Sequence, residues 1–249
     1  MRNVKFFAAL GLALLATPVQ ADPVFASTGV YDAARHRAIP IRIVLPRNTA
    51  HGALPPVIIS HGNGGTYDSY DFIAHALVEQ GHPVVTIQHS IAGDPEMPST
   101  GPIREVRMPF WQSGQADIVA TIAAMRANGT FPAYARVILI GHSMGGDQAV
   151  FTMTNHPELI DTVITLDHRR VPVPRGQATG ARETAAAPHF CSLRSSDQVA
   201  DEGVLPSAAE AARLGMQITP MPIIHNDMWD GASEPQRAAM LDAITKCLE

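Results

Sequence analysis

Short apolar runs alternate along this chain with longer segments whose apolar residues recur at helical spacing. The runs are Pro56–Ser60, Pro83–Gln88, Arg136–Ile140, Thr162–Leu166, His189–Leu193 and Met216–Ile224. Each is too short for a helix and rich in β-branched residues, which suit a pleated surface covered on both faces. Between them, Tyr70–Glu79, Gln112–Ala127, Met144–Thr154, Ser207–Leu214 and Ser233–Leu248 predict helices. Upstream, Val24–Tyr31 and Ile39–Leu45 flank a turn and predict an antiparallel edge hairpin. The alternation implies an α/β architecture: a mostly parallel central sheet with that hairpin at its edge and helices on both faces. The Pro- and Gly-richer stretches Ala92–Pro109 and Val171–Pro188 read as long loops beyond C-terminal strand ends, where open α/β sheets hold their ligands.

The first 21 residues follow a different pattern. Arg2 and Lys5 precede an apolar run from Phe6 to Ala16, and Val19-Gln20-Ala21 has the small-x-small form that signal peptidase accepts. The run is shorter than the ~20 residues needed to cross a bilayer. Residues 1–21 therefore predict a secretory leader cleaved before Asp22, and 22–249 a single exported domain, periplasmic or secreted, without stable membrane insertion. Composition agrees with one globular domain, since 46% hydrophobic residues with only two Cys among 249 exclude disorder and a small disulfide scaffold. A formal net charge of −5 leaves no broad basic surface, so nucleic acid is not expected as a partner. Nothing in the pattern points to an oligomeric state.

The most informative segment is Ile138-Leu-Ile-Gly-His-Ser-Met-Gly-Gly146. An apolar strand runs straight into Gly141-His142-Ser143-Met144-Gly145, a G-x-S-x-G pattern, and an amphipathic segment follows. A serine hydroxyl is a weak nucleophile unless a base reaches it, and a sharp strand-to-helix turn pushes Oγ clear of the backbone. Gly141 and Gly145 supply the small residues such a turn needs. The backbone N–H of Met144, at the helix start, points where negative charge develops on a tetrahedral intermediate. His142 reads as a packing residue behind the turn. Earlier, Ile59-Ser-His-Gly-Asn-Gly-Gly65 forms a second glycine-rich turn, where Asn63 is the candidate second oxyanion donor through its N–H or side-chain amide, and His61 a buried residue shaping the loop.

These two motifs and the strand order resemble an α/β-hydrolase over nearly the whole of residues 22–249. Within that superfamily, Ser60 to His89 is similar to the branch of dienelactone hydrolases, platelet-activating-factor acetylhydrolases and bacterial polyester hydrolases. The resemblance implies a serine esterase acting on a small-molecule ester, with neither a metal nor an organic cofactor.

The order of functional residues in such proteins is Ser, acid, His. Of the 11 His, four follow Ser143; His156 comes soon after it, and His168, His189 and His225 lie further on. His225 lies in a turn-rich loop, Ile224-His-Asn-Asp-Met-Trp-Asp-Gly231, just past the last strand, and is the candidate general base. Two carboxylates compete as its partner. Asp197, after the penultimate strand, resembles the placement in dienelactone and polyester hydrolases and is preferred. Asp167, ending the preceding strand, resembles the acetylhydrolase placement and is the alternative.

Phe110, Trp111 and Trp229 are candidate substrate-binding residues, with Trp111 alternatively an anchor for the helix that follows it. Arg104 and Arg107 are candidate contacts for a carboxylate or phosphate, or else solvated charges. The leading expectation is ester hydrolysis through an acyl-enzyme; the alternatives are an acyl-peptidase or amidase on the same residues, and a non-catalytic binding protein of this fold. Cys191 and Cys247 are either two buried thiols or, in an exported chain, one disulfide, which requires their Cα atoms to lie within ~7 Å.

Overall fold

A computed structural model of the chain describes residues 24–46, 54–175 and 187–249. The expected leader and its cleavage point before Asp22 lie outside the described residues, as does the 176–186 portion of the second long loop.

The predicted strands form one eight-stranded sheet. In chain order they are β1 (Val24–Asp32), β2 (Arg37–Leu45), β3 (Val57–Ser60), β4 (Val84–Ile87), β5 (Val137–His142), β6 (Ile160–Leu166), β7 (His189–Arg194) and β8 (Gln217–Pro220). Their spatial order is β1-β2-β4-β3-β5-β6-β7-β8. β2 runs antiparallel to β1 and β4, and every other neighbouring pair is parallel. The edge hairpin and the parallel remainder match the expected architecture.

Among the described residues, five helices cover the sheet: α1 (Asp71–Glu79), α2 (Ile103–Ala127), α3 (Met144–Asn155), α4 (Ala208–Leu214) and α5 (Glu234–Leu248). The central strands are mostly apolar because both faces are buried. Ile58, Val137, Leu139 and Val163 join the core beneath α2, α3 and α4, while Val57, Ile59, Ile138, Ile140 and Ile164 join the core beneath α1 and α5. Successive residues of a strand point to opposite faces, so each strand feeds both cores. Helix ends are written locally. Ser207 with Glu210 and Ser233 with Gln236 make capping boxes for α4 and α5, and Gly215 closes α4 in the left-handed conformation at φ 65°.

Two elements depart from expectation. α2 begins at Ile103, nine residues before the predicted start, so the last part of the Ala92–Pro109 stretch is helix and Pro109 sits inside it. Proline removes one backbone hydrogen bond, but packing of α2 on α3 and β1 outweighs that local loss. β8 is shorter than the run Met216–Ile224: it ends at Pro220, and Met221 and Ile223 beyond it pack in the core under α5 while still bonding to Arg194 O and Ser196 N. Cys191 of β7 and Cys247 of α5 form a disulfide, with their Cα atoms 6.2 Å apart.

Candidate active site

The sheet delivers the chemistry at its C-terminal edge. β5 ends at His142, and Ser143 follows with φ 51° and ψ −113°, a positive φ uncommon for a residue with a side chain. Its amide donates to Leu166 O at 2.9 Å, so the end of β6 helps hold the turn. The glycines are required by close approach. A Cβ on Gly141 would lie 2.3 Å from Gly145 O, and one on Gly145 would lie 2.3 Å from Ser60 O. α3 begins at Met144, whose amide has no intrahelical acceptor.

His225 stands over this turn. Its Nε2 lies 3.0 Å from Ser143 Oγ and its Nδ1 lies 2.6 Å from Asp167 Oδ2. A carboxylate only accepts, so Nδ1 carries the proton and Nε2 presents its lone pair to the serine hydroxyl. The imidazole can therefore take the Ser143 proton and be held as an imidazolium against Asp167.

Asp197, preferred from its spacing, does not meet the imidazole. Its Oδ1 accepts the backbone N–H of His225 at 2.6 Å, which fixes the loop rather than the ring. The reason lies in strand order: β6 is next to β5, so Asp167 emerges beside Ser143, whereas Asp197 emerges one strand further away. Asp167 also accepts from Ser195 N at 3.1 Å and Ser195 Oγ at 2.8 Å, and Arg194 lies 2.7 Å from its Oδ1. Burial pushes the Asp167 carboxyl upward, but the bonds from His225 and Ser195 and the charge of Arg194 outweigh it and hold the group below its ordinary value.

A second chain of hydrogen bonds ties the nearby loops together. Gly62 N donates to Tyr70 Oη at 3.3 Å, Tyr70 Oη lies 2.7 Å from His142 Nδ1, and His142 Nε2 lies 3.0 Å from His225 O. The carbonyl must accept from Nε2, so Nδ1 accepts the Tyr70 hydroxyl. Burial, and then the neighbouring His225, lower the His142 pKa to about 3, which keeps it neutral as this pattern requires. His142 thus connects two loops besides packing behind the turn. His61 is buried and shapes its loop as expected: Nδ1 donates to Gly62 O at 2.7 Å and Nε2 accepts from His89 N at 3.0 Å. Tyr70, Ser195 and Arg194 carried no motif in the sequence; only the local pairing of β6 with β7 and the docking of α1 reveal them.

A cleft opens over Ser143 and His225 and is lined by Asn63, Arg107, Arg169 and Trp229 among others. Asn63 is exposed on the loop after β3. A second, smaller cavity is lined by Phe110 and Met144 among others. Trp111 belongs to neither. It is 1% exposed and packs in the core beneath α2, which places it as an anchor for that helix, away from the cleft. Arg104 is exposed and lies outside the cleft. Among the described residues no group of three or more His, Cys, Asp or Glu is placed to hold a metal ion, and no helix is long and apolar enough to cross a membrane.

Comparison with known structures decides the fold. A dienelactone hydrolase-like promiscuous phosphotriesterase from metagenomic libraries is 13% identical, superimposes with a TM-score of 0.65, and the match covers 90% of this chain and 98% of that one. The chain adopts the α/β-hydrolase fold. Other structures with this α/β-hydrolase fold include esterase 2 of Thermogutta terrifontis, with a TM-score of 0.63, 12% identity and coverage of 93% of this chain and 95% of that one. A fungal esterase from Rhizomucor miehei matches with a TM-score of 0.62 and 13% identity over 91% of this chain and 83% of that one. The model of a family described as serine aminopeptidase, S33, matches residues 54–166. That span runs from just before β3 through the Ser143 turn to the end of β6 and stops one residue before Asp167.

Proposed function

We propose that this α/β-hydrolase is an exported serine hydrolase that cleaves carboxylic esters through an acyl-enzyme. The observation that carries the proposal is the unbroken line from Asp167 Oδ2 through His225 to Ser143 Oγ, with spacings of 2.6 and 3.0 Å, opening into a cleft. In this reading Ser143 attacks the ester carbonyl while His225 takes its proton, and Asp167 orients the ring and stabilises its charged form. The amides of Met144 and Asn63 receive the oxyanion. His225 then returns the proton to the leaving alcohol and activates the water that releases the acyl group. Export rests on the pattern of residues 1–21.

Ser143→Ala tests this directly. The mature protein is expected to turn over p-nitrophenyl butyrate and to be labelled by a fluorophosphonate, and the variant to lose both. An unlabelled, inactive wild type that still binds ligand would instead support a non-catalytic binding protein. The match described as serine aminopeptidase favours amide or peptide hydrolysis as the second reading. A panel of amino-acyl p-nitroanilides beside short esters separates them by which class has the higher kcat/KM.

A further inference from the structure

The cleft over Ser143 is unbalanced in charge. Arg107, from the second turn of α2, and Arg169, just past the end of β6, both line it, and its described lining contains no Asp or Glu. Elsewhere many arginines of this acidic protein are neutralised: Arg35, Arg37, Arg42, Arg170 and Arg194 each meet a carboxylate. Arg107 and Arg169 have no carboxylate within 4.0 Å among the described residues. Their partners are neutral. Arg107 Nε donates to Pro98 O at 2.8 Å, and Arg169 donates to Gln198 Oε1 at 2.5 Å. Each bond holds one side of a guanidinium and leaves other N–H donors without a partner among the described residues.

Asp147 and Asp201, the acids whose charges act on Arg107, are committed elsewhere. Asp147 accepts the backbone amides of Arg169, Arg170 and Val171 at 3.2, 2.9 and 3.1 Å, and Asp201 pairs with Arg170. Burial, and then the charges of Arg170 and Arg169, hold the Arg107 guanidinium below its ordinary pKa, with Asp147 and Asp201 only partly offsetting them. Two partly buried cations in one cleft repel each other and are relieved by an anion placed between them.

We propose that Arg107 and Arg169 form an anion subsite beside Ser143, and that the ester hydrolysed here carries a carboxylate in its acyl or alcohol part. The proposal rests on the serine-hydrolase reading for the reaction, but the subsite itself is a matter of binding. A guanidinium presents its donors in a planar fork that fits carboxylate oxygens, so the two side chains bind and orient the charged end while the ester reaches Ser143. Trp229, 43% exposed and lining the same cleft, supplies an apolar surface for the connecting chain.

The test measures binding to the full-length mature Ser143→Ala protein, where no turnover intervenes. Monomethyl glutarate (acyl carboxylate) and acetoxyacetate (alcohol carboxylate) are compared by calorimetry with their neutral primary-amide counterparts. At least one carboxylate is expected to bind on the order of tenfold tighter than its amide. That preference should fall by a similar factor in Arg107→Gln and in Arg169→Gln, and shrink as salt is raised. Equal binding of both carboxylates and their amides overturns the proposal, as does a preference that survives both substitutions. Should either arginine variant fold poorly, the salt dependence in the parent protein serves instead, and a carboxylate preference unmoved by salt overturns the subsite. The two readings fail separately: neutral-ester turnover without carboxylate preference removes the subsite alone, whereas carboxylate preference without any Ser143-dependent turnover removes the esterase reading alone.

Discussion

Asp167 and Asp197 both contact His225, yet they hold different atoms, and that difference assigns them different work. Asp167 accepts from the ring Nδ1, and Asp197 accepts from the backbone amide. Asp167→Asn keeps the shape but can donate to the ring and favour the wrong tautomer, so kcat is expected to fall on the order of 10⁴-fold. Asp197→Asn is expected to cost about tenfold or less, since an amide oxygen still accepts from the backbone N–H. Steady-state kinetics on one neutral ester checks both, and a larger loss at Asp197 would reverse the assignment. Ser143 and His225 were legible in the sequence because a strained turn and a post-strand loop each leave a local signature. The carboxylate was not, because two aspartates at adjacent strand ends look alike until the strands are placed side by side.

Elements meet most closely where glycine removes a side chain. A Cβ on Gly145 would press on backbone atoms, 2.3 Å from Ser60 O and 2.7 Å from His61 O. A Cβ on Gly114 of α2 would come as near as 2.2 Å to Gln148, but only to the movable side chain of that residue on α3. Gly145→Ala is therefore expected to destabilise by about 3 kcal/mol or more, against about 1 kcal/mol for Gly114→Ala, where Gln148 can turn aside. Urea unfolding midpoints with a common m-value test this, and equal shifts would contradict it. Most elements were legible from hydrophobic spacing. The start of α2 was hidden by Pro109, a strong local stop signal overridden by packing on α3. The N-terminus of α1 shows the same limit, since Asp230, far along the chain, accepts the amides of Asp71 and Phe72 at 2.9 and 3.0 Å.

At the scale of the molecule, buried histidines make stability depend on pH. Burial, as the largest cause, lowers His61 to about 4 and His142 and His168 to about 3, from an ordinary 6.5. Below about pH 6.5 the unfolded chain binds protons at these sites that the folded chain does not, so stability falls as pH falls. Asp147 works in the opposite sense: burial raises it to about 6 from 3.8, so the folded chain holds its proton in that interval and offsets one of the three. The remainder, about two protons, corresponds to roughly 3 kcal/mol lost per pH unit near pH 5. Urea unfolding at pH 7, 6 and 5 measures this slope, and stability that is level or rising toward pH 5 would contradict it.

The sequence by itself determined the α/β layering, the Ser143 turn and the glycine-rich loop before it, because each follows from residues adjacent in the chain. It also singled out His225 by its position after the last strand. Only the tertiary structure chose Asp167 over Asp197, withdrew Trp111 into the core, joined Cys191 to Cys247, and placed Arg107 and Arg169 in one cleft without a carboxylate partner among the described residues. Those outcomes depend on which strand ends lie side by side and which helix faces are covered, relations between distant residues that no local spacing encodes.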